Sequence, residues 1–505
     1  MQTPSDLLIL GAGAAGLMAA IAAAESIQSL SPVPSPLSPP LHIAILEKNP
    51  QPGIKILVCG GGRCNLTNAG STDFLIAQFG RNGRFLTPAL RHLDNSALCA
   101  WFARQGVPTH EEHHGKIYPD SNQARSIVEA LVQRTRDLNI ETICGPGAAA
   151  QSVELISASA PIPPSVPQCL SASVPPPSTQ SSVLSPHHFL VTTHDSRHFT
   201  ARSLLIAVGG NSYQRMGTTG DGYRFAAALG HTLITPRPAI VALLCQEDWP
   251  KTLQGLAVQD VEVTIEPPAT NGKSKMANRK SVGDVLFTHF GLSGPAILNP
   301  SEIVAELLEK SPTITLRVDF LRHISHDQLA AELRHWQQHH GKKLLRKILA
   351  QSTPEVTITS TSPDMSDAPS APPSNSQLPT SNFPSSVPRR LAEKLLELLA
   401  ISPDQTCSQL TSAQIHHLID RLKSSRFTIT ATRGFKEAMV TAGGVSLAEV
   451  DPRTMQSKNV PRLYLAGEVL DLTGPSGGYN LQLAFSTGHL AGVSAAASLR
   501  LDHNL

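Results

Sequence analysis

The chain opens on a continuous apolar run, Leu7–Leu10, which breaks at glycines and passes into an alanine-rich stretch ending near Ala24. A short apolar run, a small-residue turn and a longer apolar stretch predict a buried strand, a tight turn and a helix. HIAIL at 42–46 repeats the strand pattern and ends at Glu47. SNQARSIVEALVQRTRDL, 121–138, has apolar residues at helical spacing with Ser121 as the expected N-cap. HFLVTTHD (188–195) and SLLIAVGG (203–210) predict two more strands. Residues 258–266 and 313–320 alternate with period two, so 235–320 reads as antiparallel β structure. Residues 326–349 and 389–423 read as helices, and 459–500 return to strand, turn and helix.

The first turn is Gly11-x-Gly13-x-x-Gly16. In a strand–turn–helix unit the first glycine permits the tight turn, the second lets a pyrophosphate approach the backbone, and the third lets helix and strand pack closely. The partner acid that binds ribose hydroxyls is expected about 20 residues on. Glu47 stands further away, and the Pro/Ser-rich stretch 29–40 accounts for the excess. RLYLAGEVLDLTGPSGGYNLQLAFSTG, 462–488, supplies a second strand–turn–helix unit, with Glu468 after the strand and Gly474, Gly477 and Gly478 in the turn. A helix N-terminus carries free N–H groups and partial positive charge, which suits a phosphate or the electron-rich edge of a reduced flavin. The two units read as complementary halves of one dinucleotide site in an α/β fold.

A chain of 505 residues holds two or three domains. The expected boundaries are a nucleotide-binding domain at 1–234, a β-rich insertion at 235–320, a helical domain at 321–430 and the C-terminal part of the nucleotide domain at 431–505. A formal net charge of +2 selects no class of partner. Of the 40 prolines, 21 cluster at 29–40, 157–186 and 352–388, which read as disordered insertions. Seven cysteines without framework spacing fit a reducing, cytoplasmic setting. The apolar N-terminus lacks a basic flank, so it is not read as a signal peptide, and no membrane partner is expected. Oligomeric state is left open.

Residues 53–68 read GIKILVCGGGRCNLTN. Gly60–Gly62 allow close approach of a flat ligand, and the planar fork of Arg63 suits a phosphate or carboxylate. The spacing of Cys59 and Cys64 matches the redox pair of flavin disulfide reductases. The second dinucleotide fingerprint and C-terminal His–Glu pair of those enzymes are missing, so that reading is a minor alternative to two loop thiols near a cofactor. Residues 209–231, starting at Gly209 and Gly210, suit a backbone path over a cofactor, with Asp221 placed to cap the following helix. Thr288, His289 and Ser293 share a glycine-flanked turn, and His289 is the best general-acid candidate against the competing reading of a histidine satisfied within the fold. Thr441, Gly443 and Gly444 are expected towards the cofactor, with Lys458 at the substrate edge. The helical stretch is locally basic, which suits either a solvated face or a nucleic-acid surface. No CxxC or Walker A pattern occurs, and neither a metal site nor an NTPase is expected.

On GAGAAGL at 11, GGGRCNLTN at 60, GKIYPDSNQA at 115, AVGGNSYQRMGTTGDGYRFAAALGH at 207, LFTHFGLSGPAIL at 286, TAGGVSLAEVDPRTMQSK at 441 and LYLAGEVLDLTGPSGGYNLQLAFSTGHLAG at 463, the chain resembles the YhiN/BaiN-like (BaiN/RdsA, aminoacetone oxidase-like) family of bacterial NAD(P)/FAD-dependent oxidoreductases. The resemblance implies a Rossmann-like FAD-binding domain with an inserted β-barrel-like domain and a small helical domain. The motif residues assigned to the cofactor are Gly11, Gly13, Ala14, Ala15, Gly16, Glu47, Lys48, Gly62, Arg63, Cys64, Asn65, Gly209, Gly210, Gly467, Glu468, Gly477, Gly478, Tyr479 and Asn480. His289, Cys64 and Arg63 are the catalytic candidates, with His289 or Cys64 delivering a proton and Arg63 and Asn65 on the flavin–substrate face. Cys59 departs from the small serine usual in the family. The implied activity is hydride transfer from NAD(P)H through FAD to a carbonyl-conjugated C=C bond. Uridine in 23S ribosomal RNA, becoming dihydrouridine, is the preferred substrate. A small-molecule enone of bile-acid or steroid type, or an amine to be oxidised, is the alternative, and a non-catalytic FAD-binding protein is the alternative of another class.

Overall fold

A computed structural model describes residues 4–30, 41–157, 187–266, 279–350 and 387–503. Most of the three Pro-rich stretches lies outside the described residues, although Ser29 and Leu30 still belong to the first helix. The chain divides into two compact units, Met1–Arg237 with Met439–Leu505, and Pro238–Ala438.

In the first unit, Leu7–Leu10 are at most 1% exposed, as a strand covered on both faces requires. The strand Ser5–Leu10 runs parallel to Ile43–Glu47 on one side and to His198–Ile206 on the other, Leu8 facing Ala44 and Leu204. Glu141–Cys144 extends the sheet beyond Ile43–Glu47. His198–Ile206 serves two further neighbours. Its first half pairs antiparallel with His187–Thr193, and its second half pairs parallel with Leu463–Leu465. The C-terminal part of the chain therefore re-enters the central sheet, and the ligand-binding ends of the parallel strands come together. The first helix, Ala14–Leu30, packs on the C-terminal helix, Tyr479–His503. A Cβ added at Gly488 would lie 2.2 Å from the Ala15 carbonyl oxygen, and one at Gly492 2.1 Å from that of Ala19. Small residues on both helices permit this approach.

Two local expectations shift. The helix expected from Ser121 runs from Ala124 to Asp137 with Gln123 at its N-cap. Asn122 is left-handed, with φ of 53°, so the helix cannot include it. The Ser121 hydroxyl binds the Gln123 N–H at 3.3 Å and the Ser126 hydroxyl at 2.6 Å instead. The strand expected at 203–210 is His198–Ile206, and the chain turns away at Gly209, with φ of 78°.

The second unit is a closed antiparallel barrel of Leu243–Cys245, Gly291–Ser293, Lys280–Phe287, Ala257–Glu266, Ile314–Asp319 and Ser425–Thr432, the last returning to the first. Helices His326–His339, Leu345–Leu349, Arg389–Leu398 and Ser412–Lys423 form an excursion between its fifth and sixth strands. The closing strand thus begins inside the stretch 321–430 read as a helical domain and runs past its end. Its Phe427 packs at 5.2 Å from Trp249 and 6.4 Å from Phe287, ring centre to ring centre. Barrel and helices share one apolar core, and the buried Lys423 ammonium ties them by binding Asp319 at 2.7 Å. Among the described residues no helix is long and apolar enough to cross a membrane, and no His/Cys/Asp/Glu group could hold a metal ion.

Candidate cofactor-binding site

A cavity of about 360 Å³ opens in the first unit. Its lining includes Gly11–Ala15, Glu47–Asn49, Gly53–Ile56, Cys59, Ala207–Gly209, Gly467, Glu468 and Asn480. The three fingerprint glycines differ in what requires them. Gly11 has φ of 98°, and a Cβ there would meet the Ala207 oxygen at 2.6 Å. A Cβ at Gly16 would lie 1.9 Å from the Gly11 oxygen, so this glycine joins helix to turn. At Gly13 a Cβ would meet nothing within 4 Å. No steric constraint of the fold demands a glycine there, and the space beside it is free for a ligand. The 17-residue helix that follows directs its unpaired N-terminal N–H groups to this place. The turn thus fits a pyrophosphate.

Glu47 is buried at the end of its strand. One carboxylate oxygen accepts from the Ala12 N–H at 2.7 Å and the other from the Asn49 N–H at 2.8 Å. Lys48 donates at 2.5 Å to both Thr219 Oγ1 and Asp221 Oδ2. Asp221 therefore does not cap its helix, whose N-cap is Gly220. Burial pushes the Asp221 carboxyl up, but the hydrogen bonds from Lys48 and Thr219 outweigh it and hold the group below its ordinary value.

Glu468 follows the strand Leu463–Leu465 and meets a second lysine. Lys55 Nζ binds Glu468 and donates to Ser212 Oγ at 2.8 Å. Glu468 also accepts from the Ser212 hydroxyl and from the Thr441 N–H at 2.8 Å. Sequence reasoning passed over Lys55 and Ser212. Lys55 and Glu468 are separated by 413 positions, and the only local signal was a lysine one turn before the Cys59 loop. The Cys59 thiol donates to the Lys55 carbonyl at 3.2 Å. Burial pushes it up, opposed by Lys55 and assisted by Glu468.

The second glycine turn is built by the Cys59 loop. With its amide oriented to satisfy both ends, Asn65 donates to the Thr67 oxygen at 3.0 Å and accepts from the Gly478 N–H at 3.1 Å. Gly477 and Gly478 have φ of 131° and 93°, and a Cβ at Gly478 would lie 2.4 Å from the Thr67 oxygen. Asn480 closes the turn, accepting from the Gly474 N–H at 2.9 Å and donating to its oxygen at 2.8 Å. Tyr479 opens the helix with its ring 6.4 Å from Phe74.

Gly11, Gly13, Ala14, Ala15, Glu47, Lys48, Gly209, Gly467, Glu468 and Asn480 line the cavity, whereas Gly16, Gly62, Arg63, Cys64, Asn65, Gly210, Gly477, Gly478 and Tyr479 do not. A Cβ at Gly210 would press on Thr441 Oγ1 and Glu468, so this glycine admits the Glu468 network. Arg63 leaves the cavity for a small, partly buried sheet of Thr67–Asn68, Lys116–Pro119 and Thr109–Glu112. It lies over the Tyr118 ring at 4.2 Å, binds Glu112 at 3.2 Å and binds Asn122 at 3.0 Å. Cys64 is fully buried and its thiol is pushed well up by burial. Cys59 and Cys64 are both free thiols. Lys458 is held by the Ala448 oxygen at 2.8 Å and does not line the cavity, because the loop it closes folds back on itself. His289 belongs to the second unit. It is exposed on a turn fixed by Thr288, whose hydroxyl donates to the Gly291 oxygen at 2.9 Å, and its ring meets Phe290 edge-on.

The family described as HI0933-like protein Rossmann domain matches residues 5–146 and 177–494. The 3-dehydro-bile acid delta(4,6)-reductase of Clostridium scindens is 30% identical over 97% of this chain and 98% of that protein. Two proteins named ribosomal RNA dihydrouridine synthase also match. The one from Haemophilus influenzae is 26% identical over 98% of this chain and 99% of its own length, and the one from Escherichia coli 27% identical over 95% and 96%.

Proposed function

The chain belongs to the HI0933-like Rossmann-domain family, a family of FAD-dependent oxidoreductases, and from that premise we propose that it reduces a carbonyl-conjugated C=C bond with electrons from NAD(P)H. The observation that carries this reading is the near-full-length match to two kinds of reductase whose substrates share that bond. A 3-oxo steroid with a 4,5 double bond and a uracil ring each place a C=C next to a carbonyl. FAD in the cavity supplies the hydride transfer. With FAD bound, Gly13 and the helix behind it would hold the pyrophosphate and Glu47 the adenosine ribose, and the helix that starts after Gly477–Gly478, which reaches the cavity through Asn480, would face the electron-rich side of the ring. Of the three catalytic candidates, His289 is proposed as proton donor, because Arg63 is engaged by Glu112 and Cys64 is enclosed. His289→Asn should lower turnover by about 100-fold at unchanged FAD content, within the usual range for general acids; unchanged turnover would remove it from the role.

Between substrates, uridine in ribosomal RNA is the first reading, in a cytoplasmic setting. In the second unit Arg346 binds Asp404 at 2.8 Å and Lys394 binds Glu397 at 2.8 Å, but exposed Arg334, Lys342, Lys343 and Lys347 have no carboxylate partner among the described residues. Unpaired cations suit a phosphate backbone. The bile-acid reductase at 30% identity favours a small-molecule enone as the second reading. Nucleoside mass spectrometry of ribosomal RNA from a strain lacking this protein separates them. Loss of dihydrouridine, restored by the intact gene and not by a Gly13→Val variant, supports the first. Dihydrouridine unchanged, or absent from the parent strain as well, rejects it in favour of the second.

A further inference from the structure

Two ammonium groups line the cavity, Lys48 and Lys55, and each is paired with a carboxylate. Their positions in the fold differ. Lys48 follows Glu47, the strand-end acid at the adenosine side of a dinucleotide, and its partners Thr219 and Asp221 start a neighbouring helix. Lys55 is tied instead to Glu468, on the segment that leads from the last strand of the sheet into the second glycine turn. That half of the cavity is left for the reducible part of the cofactor.

Lys55 is held at its tip by two partners, Ser212 Oγ and Glu468, and Ser212 itself also binds Glu468. Glu468 is anchored in turn by the Thr441 N–H at 2.8 Å. Gly210 passes so near that a Cβ would come within 2.7 Å of the Glu468 carboxylate. A flexible side chain fixed in this way is a fixed charge, and a fixed charge in a partly enclosed site acts strongly on charge that develops beside it.

Resting on the FAD reading above, we infer that Lys55 is the residue that sets the reduction potential of the bound flavin, and that Glu468 positions Lys55 and moderates its charge. Two-electron reduction by hydride leaves one more negative charge in the cavity, while the nicotinamide departs oxidised. An ammonium at this place favours the reduced form over the oxidised form, and an adjacent carboxylate opposes it. The two residues therefore act with opposite sign, which a merely structural pair would not do.

The test is the midpoint potential of the FAD-loaded protein by dye equilibration, with FAD affinity measured in parallel, for Lys55→Met, Glu468→Gln and Lys48→Met. In Lys55→Met the preference for reduced over oxidised flavin should fall at least tenfold, a drop of about 30 mV for a two-electron couple. Glu468→Gln should raise the potential. Lys48→Met should weaken FAD binding and leave the potential in place. An unchanged potential in Lys55→Met, or a shift of the same sign in Lys55→Met and Glu468→Gln, overturns the inference. If Lys55→Met does not fold, the sign of the Glu468→Gln shift decides alone, a rise supporting and a fall or no change rejecting. A wild-type protein that takes up no FAD would reject the functional reading itself, a result distinct from any of these.

Discussion

The two glycine turns of the first unit look alike in sequence and are required for different reasons. In the first, Gly13 is free of steric demand, since a Cβ there meets nothing within 4 Å, whereas a Cβ at its partner Gly16 would lie 1.9 Å from the Gly11 oxygen. In the second, Gly478 is the locked residue, against Thr67, and it stands behind the cavity surface while Asn480 reaches that surface. A glycine can thus be kept for the ligand or kept for the fold, and the two uses separate by what the missing Cβ would touch.

The sharpest way to break this comparison is to add the Cβ. Gly16→Ala and Gly478→Ala should each destabilise the protein by about 3 kcal/mol, the upper range for overpacking, because the obstacle is backbone and cannot rotate away. Chemical denaturation measures this, and wild-type stability in either variant would dissolve the distinction. Next in size, Gly13→Ala should fold with an unchanged melting temperature but bind FAD at least tenfold more weakly, about 1.4 kcal/mol, as read by flavin fluorescence titration. Equal loss of stability and affinity would mean that Gly13 also serves the fold.

The side of the cavity that holds Lys48 can be examined by pH. The folded Asp221 carboxyl lies below its unfolded value because of Lys48 and Thr219. Its contribution to stability is therefore complete above the ordinary aspartate value of about 3.9 and is lost as pH falls through the lower folded value. Asp221→Asn should flatten that part of the acid unfolding curve, whereas a curve parallel to wild type would show that the pair does not contribute. The smallest effect belongs to Cys59→Ser. The serine hydroxyl can keep the bond to the Lys55 carbonyl, so stability and FAD affinity should change by less than about 1 kcal/mol, the net worth of an ordinary hydrogen bond. Loss of turnover in that variant would instead revive a redox role for the thiol.

Much of the first unit is legible in the order of its residues. The strand Ser5–Leu10, its turn and its helix sit where the apolar run and the glycine spacing put them. The second turn and its helix are equally readable, because φ demands and strand burial are written within a few neighbouring residues. The misreadings are of another kind. Ser121 has the chemistry of a cap, but a left-handed Asn122 intervenes. In the second unit the alternating strands announce β structure, yet Ser425–Thr432 follows a helix, and nothing in its own pattern marks it as the strand that closes the barrel against Leu243–Cys245.

The sequence by itself determined where the chain turns and which strands are buried, since these depend on local dihedral freedom and on hydrophobic period. Only the tertiary structure decided which glycines and which charges face the cavity. Lys48 meets Asp221 across 173 positions and Lys55 meets Glu468 across 413. Pairings at such separation depend on which strand ends the sheet brings side by side, and no pattern within a single segment records that choice.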